Sequence, residues 1–211
     1  MPRRVAAGLP LCVALALGAC AHAPSLPAAD DAAPFAAAPP ASGSTTTIAR
    51  RWSGRFSADH ENAGTGQREA AAGRFLLERD AAGTLVLELV SPLGQTVVRA
   101  RTGPSGSVAT LADGRVVEAP DPETLTETVL GWRLPLARLD AWLDGQARGR
   151  VETDAGGRLL RAADAGWILL VDDWLPSGLP RRLRLDWPAD ASSTPEVGRA
   201  VRLRLAVDTV E

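Results

Sequence analysis

Side chains capable of reactive chemistry are few in this chain. It contains two cysteines, Cys12 and Cys20, two histidines, His22 and His60, and no lysine. A nucleophile activated by a base would depend on His60, but the sequence has no Gly-x-Ser-x-Gly elbow to accompany it. Zinc needs clustered His and Cys ligands that the sequence lacks, and a phosphate-binding P-loop needs a lysine. We therefore predict a protein that is not an enzyme, with no catalytic residue and no metal site.

Cys20 stands at the end of a largely apolar run. Residues 5–17 follow Arg3 and Arg4, and the run is too short to span a bilayer as a helix, which predicts a cleavable export signal over residues 1–19. The residues Leu17-Gly18-Ala19-Cys20 resemble the lipobox of bacterial lipoproteins, in which the cysteine is lipidated and becomes the new N-terminus. We predict that Cys20 carries a lipid anchor. An ordinary secretory signal with an incidental cysteine is the alternative.

Composition divides the remainder of the chain in two. Residues 20–47 are rich in Ala, Pro and Ser, which predicts a flexible tether behind the lipid. Residues 48–211 are predicted to form one domain, which is long enough to bury its own core. Cys20 would be the only cysteine left after the signal is removed, so no internal disulfide can form. The 23 basic and 25 acidic residues nearly balance, which does not favour a nucleic-acid partner.

Apolar and polar residues alternate along three segments that follow the tether. The alternation runs from Trp52 to Ala58, from Ala71 to Leu77 and from Leu85 to Leu89, and it predicts three strands. Asp113-Gly114 predicts a tight hairpin further along. Other strands are predicted at residues 95–101, 107–111, 115–118, 167–171, 182–187 and 201–207.

Two helices are predicted between the two groups of strands. Asp121-Pro122-Glu123 places an N-cap, a first-turn proline and an acid in the order that begins a helix. A second helix over residues 135–143 carries Leu136, Leu139, Trp142 and Leu143 on one stripe. Because a sheet with one apolar face must cover it, we predict a mainly β fold with α-helices, in which short helices cap a curved antiparallel sheet. Its interior is either a packed core or a lipid-sized cavity.

A four-residue turn joins two of the apolar strands. Ser91-Pro92-Leu93-Gly94 has serine, proline and glycine at positions that a type I turn favours, and this places Leu93 at the tip. A leucine at an exposed tip contributes nothing to folding. It either folds back onto the sheet or meets something apolar outside, and the sequence leaves both open.

Several short motifs follow one another through the predicted domain. They are Trp52-Ser-Gly-Arg-Phe56, Ser91-Pro-Leu-Gly94, Val129-Leu-Gly131, Leu134-Pro-Leu136, Leu139-Asp-Ala-Trp142-Leu143 and Leu179-Pro180. In this order, behind a lipobox, they resemble the LolB family of outer-membrane lipoprotein receptors. The resemblance implies a half-open antiparallel β-barrel of about 11 strands, lidded by short helices, around a hydrophobic cavity. It also implies a receptor that takes lipoproteins from the periplasmic carrier LolA, holds their acyl chains and inserts them into the outer membrane.

The resemblance also implies roles for particular residues and partners. Leu93, with Pro92 and Gly94, would form a loop that enters the membrane during delivery. Large apolar residues on inward strand faces or on the helices are predicted to line the cavity, with ordinary core packing as the alternative for each: Trp52, Phe56, Phe75, Leu87, Trp132, Trp142 and Trp167. The expected partners are a LolA-like carrier, the acyl chains of cargo lipoproteins and the outer membrane, where a monomer faces the periplasm. We expect no nucleic acid and no cofactor besides the covalent lipid on Cys20.

A second class of function fits the same pattern. A structural or assembly lipoprotein of the outer membrane would have a filled core and would bind a protein partner through an exposed sheet edge, without lipid transfer. The two hypotheses differ in what the inner face of the sheet encloses and in the role of Leu93.

Overall fold

The computed structural model describes residues 47–61, 65–187 and 200–211. These residues belong to one compact unit over residues 44–211. The predicted signal, Cys20 and the predicted tether up to residue 46 lie outside the described part of the chain.

Eleven strands form one antiparallel sheet. They are β1 Ile48–Glu61, β2 Arg68–Asp80, β3 Leu85–Val90, β4 Thr96–Gly103, β5 Gly106–Leu111, β6 Val116–Ala119, β7 Arg150–Thr153, β8 Leu159–Asp164, β9 Trp167–Trp174, β10 Pro180–Trp187 and β11 Val201–Val210. Their order across the sheet is β6-β5-β4-β3-β2-β1-β11-β10-β9-β8-β7, so the first and last strands meet at its centre. The sheet is open, with β6 and β7 as its edges. The predicted mainly β architecture with about eleven antiparallel strands is confirmed.

Alternation along the strands separates an apolar inner face from a charged outer face. In β11 the residues Val201, Leu203, Leu205 and Val207 are buried, whereas the two arginines between them are exposed. On the outer face arginines pair with acids of neighbouring strands: Arg204 with Asp59 (3.0 Å), Arg184 with Asp172 (2.8 Å) and Arg202 with Asp186 (2.9 Å). Pairs as exposed as these contribute little to stability, so the outer face is a solvated surface and the inner face carries the core.

The strands β7 and β8 do not follow the alternation, and the sequence pattern does not predict them. All four residues of β7 are exposed. In β8 the buried residues Leu159 and Ala162 are separated by two exposed ones. The register with β7 shifts at this point, since Glu152 pairs with Arg161 and Thr153 pairs with Leu159. A β-bulge of this kind inserts an extra residue and breaks the period of two.

Two short helices, α1 Pro122–Leu130 and α2 Leu136–Leu143, connect the two groups of strands. The predicted N-cap Asp121 accepts a hydrogen bond from the backbone N–H of Thr124 (2.8 Å), and this bond, with one from the Thr124 hydroxyl, lowers the pKa of Asp121. Gly131 ends α1 in the left-handed conformation, with φ 81°. The apolar stripe predicted for α2 is buried in full. Both helices therefore present apolar side chains to the inside of the molecule.

Two glycines allow β1 and β2 to approach their neighbours closely. Gly54 is the register partner of Phe75, and Gly73 is the partner of Phe56. A Cβ atom on Gly54 would collide with the carbonyl oxygen of Ala206 in β11, and one on Gly73 would collide with the backbone of β3. Glycine in a strand interior often marks a close backbone approach, and here an aromatic ring on the neighbouring strand covers the space above each glycine. The strands therefore pack closely at these two pairs.

We expect Gly54→Ala to lower the free energy of unfolding by about 1–3 kcal/mol, the usual cost of overpacking. The new methyl group would meet the backbone of β11, which cannot rotate away as a flexible side chain can. Gly103→Ala is the matched control, because its Cβ would meet only the side chain of Thr84, at 3.5 Å. Urea unfolding measures both variants. Equal stability of the two would contradict the close approach at Gly54.

Candidate functional site

An apolar cavity of about 190 Å³ lies between the inner face of the sheet and the helices. Among the described residues that line it, His60 and Ser91 contribute polar side chains. The other lining residues are Phe56, Ala58, Ala71, Ala72, Phe75, Leu87, Leu89, Val90, Val97, Val98, Leu130, Trp132, Leu134, Leu139, Leu203 and Leu205. Sites for drug-sized ligands measure roughly 300–1,000 Å³, so this one suits a thin apolar ligand or part of a larger one.

The predicted cavity residues fall into two groups. Four of them line the cavity: Phe56, Phe75, Leu87 and Trp132. Three are completely buried side chains of the packed core and do not line it: Trp52, Trp142 and Trp167. These three tryptophans lie in the packed core, the alternative that each prediction left open.

Ion pairs hold α2 on the sheet next to Trp52. Arg79 of β2 pairs with Asp140 (2.7 Å) and Asp144 (3.6 Å), and Arg50 of β1 pairs with Asp144 (3.0 Å). Both guanidinium groups lie over the indole of Trp52, 5.4 and 5.8 Å from its centroid. The two acids are only 14% and 15% exposed, so water screens these pairs less than it screens pairs on the outer face. Trp52 is therefore covered by charge and by α2, away from the cavity.

A buried carboxylate ties α2 to the other half of the sheet. Asp164 of β8 accepts hydrogen bonds from the indole N–H of Trp142 (2.9 Å) and from the backbone N–H of Arg148 (2.9 Å). Because a buried carboxylate must be compensated by donors, this arrangement also fixes the orientation of Trp142. The helix α2 is thus attached by polar contacts to β1, β2 and β8.

Apolar contacts, by comparison, dominate the attachment of α1. Leu125 is buried, and the hydroxyl of the buried Thr126 bonds to the backbone of Leu134. Among the described residues the one ion pair of α1, Glu127 with Arg133, is local and does not reach a strand. A second void of about 10 Å³ lies beneath α1 and shares four lining residues with the cavity: Leu87, Leu89, Val98 and Leu130.

The turn between β3 and β4 presents Leu93 to solvent. The N–H of Gly94 donates to the carbonyl oxygen of Ser91 (2.9 Å), and the N–H of Gln95 donates to the Ser91 hydroxyl (3.3 Å). Gly94 has φ 83°, the left-handed conformation that follows a type I turn in many hairpins. Leu93 is 88% exposed, so it does not fold back onto the sheet. Since Ser91 also lines the cavity, the loop and the cavity are adjacent.

His60 is the polar side chain of the cavity on the side of β1. Its Nε2 lies 3.6 Å from a carboxylate oxygen of Glu69, and its ring is tilted by 46° against that of Trp132. The Nδ1 atom is buried and has no hydrogen-bond partner within the described residues. No group of three His, Cys, Asp or Glu side chains in that part of the chain could hold a metal ion. The cavity lining is therefore mainly apolar, with His60 and its contact to Glu69 as the polar part on the side of β1.

The geometry alone defines a class of protein: an open antiparallel sheet whose apolar inner face encloses a cavity beneath short helices. A family model described as "Outer membrane lipoprotein LolB" matches residues 50–209, from β1 to β11. The chain belongs to the LolB family of outer-membrane lipoproteins, as its motifs imply.

Similar proteins come from several bacteria, and each is named "Outer-membrane lipoprotein LolB". The relative from Cupriavidus necator is 33% identical over 170 residues, which cover 79% of this chain and 82% of that protein. The relative from Cupriavidus taiwanensis is 34% identical and covers 75% of this chain and 79% of that protein. The relative from Bordetella petrii is 33% identical and covers 68% and 70%. Between residues 47 and 211, the parts that the structure describes contain no helix with the length and apolar character to cross a membrane.

Filling the cavity from its edge tests whether it binds acyl chains. Ala71 pairs with the buried Ala58 and lines the cavity, so Ala71→Phe should occupy the space. We expect binding of a fluorescent fatty acid to weaken on the order of tenfold, the factor for roughly 1.4 kcal/mol. Ala70→Phe, at an exposed neighbour that does not line this cavity, is the control. Binding is measured by fluorescence titration of both variants. If the two variants bind the probe equally well, the cavity is not the site that binds it.

Proposed function

We propose that this protein accepts lipoproteins from the periplasmic carrier LolA, holds their acyl chains in the apolar cavity and inserts them into the outer membrane. The observation that carries the proposal is the apolar cavity beside a loop whose leucine is 88% exposed. Acyl chains bind through removal of apolar surface from water, which a lining with only two polar side chains favours. An exposed leucine next to that cavity suits contact with the bilayer.

Transfer of this kind needs no chemical step and no energy source, and we propose no enzymatic activity. Each buried methylene contributes about 0.8 kcal/mol, so a cavity of about 190 Å³ that buries part of an acyl chain binds it with moderate affinity. The bilayer buries the whole chain and is the better acceptor. The acyl chains can therefore move from carrier to receptor to membrane down a gradient of free energy.

The proposed anchor keeps the receptor at its acceptor membrane. More than one acyl chain on Cys20 would make attachment effectively permanent, because each chain adds its own burial. A one-to-one exchange with the carrier favours a monomer. Cys20 itself lies outside the described residues.

The alternative is a structural lipoprotein that binds a partner through its sheet edge. The two edges of the sheet support it less than the cavity supports lipid transfer. At one edge, α1 packs against β6. At the other, β7 has only four residues, includes Arg150 and Glu152, and pairs through a shifted register. Helix cover, short length, charge and bulges are features that discourage strand addition. The enclosed cavity likewise favours lipid transfer over a filled core.

The direct test mixes the purified mature chain carrying Cys20→Ala with LolA that holds a labelled lipoprotein. Cargo that moves to the receptor supports the proposal. Cargo that stays on an active carrier, in the presence of folded receptor, supports the structural alternative instead.

Leu93→Glu separates acceptance of cargo from its release. The side chain is 88% exposed and contributes little to packing, so we expect folding and cargo acceptance to remain unchanged. Release into vesicles should fall on the order of tenfold or more, because a carboxylate replaces the apolar contact with the bilayer. Val116→Glu, at a valine that is 60% exposed on β6, is the control. If Leu93→Glu releases cargo into vesicles at the wild-type rate, the loop does not have the proposed role.

A further inference from the structure

The cavity reaches the surface at Val97 of β4, and also at the exposed Ala71 and Ala72 of β2. Six large apolar side chains are exposed in the described residues, and Val97, at 44%, is the one among them that also lines the cavity. It lies at the start of β4, in the same hairpin as Leu93. Its carbonyl oxygen accepts a hydrogen bond from the N–H of Ala112 (3.0 Å), which fixes this part of β4 against the turn after β5. Apolar surface is therefore continuous from the cavity to the base of the Leu93 loop.

The adjoining wall belongs to the same hairpin and offers little polarity. Val90 and Ser91 line the cavity here. The hydroxyl of Ser91 accepts a hydrogen bond from the N–H of Gln95 (3.3 Å), so the turn itself engages this group. An acyl chain that passes this wall contacts Val90, Val97 and the Ser91 hydroxyl, which already accepts a hydrogen bond.

The side of the cavity at β1 is different. His60 lines the cavity there, and its Nε2 lies 3.6 Å from the carboxylate of Glu69, whose side chain is 48% exposed. An acyl chain that crossed at this point would cover an imidazole and a half-exposed carboxylate, and it can hydrogen-bond neither of them. Removal of polar groups from water is unfavourable, so this route has the higher barrier.

We infer that cargo acyl chains cross between the cavity and the bilayer over Val97, on the side of the β3–β4 hairpin. The inference rests on the proposed function and adds the route of transfer to it. In this arrangement Leu93 contacts the membrane, and Val97 provides the apolar surface over which the chain moves. No bond is made or broken in the crossing.

Val97→Asp tests the route, and Val116→Asp is the matched control, because Val116 is exposed but does not line the cavity. The mature chain carrying Cys20→Ala is loaded to equilibrium with a fluorescent triacylated lipopeptide. It is then mixed with vesicles of phosphatidylethanolamine and phosphatidylglycerol. We expect Val97→Asp to release the lipopeptide that it holds on the order of tenfold more slowly than wild type, whatever the change in its equilibrium loading. Val116→Asp should release it at the wild-type rate.

Two further measurements distinguish the route from other effects. Val97→Thr keeps the shape of the side chain and adds a hydroxyl, so slower release by this variant, at an unchanged thermal midpoint, excludes misfolding as the cause. Binding of the empty protein to the same vesicles should be unchanged in Val97→Asp and reduced in Leu93→Glu, since the two residues have separate roles.

The outcomes separate failure of the route from failure of the proposed function. If wild type loads and releases the lipopeptide and Val97→Asp does so at the same rate, the route is wrong and the receptor function stands. If Val97→Asp loses loading but keeps the release rate, Val97 is an ordinary lining residue and the route is again wrong. If wild type holds no lipopeptide, both proposals are overturned.

Discussion

The inner face of the eleven-stranded sheet is apolar, and the need to remove that face from water is the constraint to which the other elements respond. The helices α1 and α2 have nine and eight residues, which makes each roughly 12–14 Å long. Eleven strands at the usual spacing extend roughly 48 Å across a flat sheet. Two such helices cannot cover that width. At the Gly54–Phe75 and Gly73–Phe56 pairs a phenyl ring covers the glycine opposite it, and the cavity is space on this face that neither helix fills.

The two helices cover the face by different kinds of contact. The ion pairs of Arg50 and Arg79 with Asp140 and Asp144 require particular directions and distances, so α2 has one position on the sheet. The contacts of α1 are mainly apolar, and such contacts tolerate displacement because they have little directionality. Among the described residues, α2 is thus attached mainly by polar contacts and α1 mainly by apolar ones.

The sequence is sufficient to predict which sides of β1, β2, β3, β10 and β11 face inward, the positions of both helices and the place of Leu93 at the tip of the β3–β4 turn. It is not sufficient to separate cavity from core. Trp52 and Phe56 lie on the same face of β1, but only Phe56 lines the cavity, because α2 and two arginines cover Trp52. Small residues such as Ala58 and Ala71 open the space, and a search for large apolar side chains overlooks them. The strands β7 and β8 lack a regular period because their pairing contains a bulge.

The rigidity of the turn that holds Leu93 has a consequence for the duration of its contacts. The proline ring at position 92, the hydrogen bonds within the turn and the left-handed Gly94 leave this segment little conformational freedom to lose on contact with another phase. Full burial of one leucine contributes about 1.5–3 kcal/mol. This free energy lengthens each contact of the turn with an apolar surface but does not make the contact long-lived. A segment that is ordered in advance and weak in affinity supports brief, repeated encounters. In the proposed function, such a hairpin would favour turnover over tight attachment.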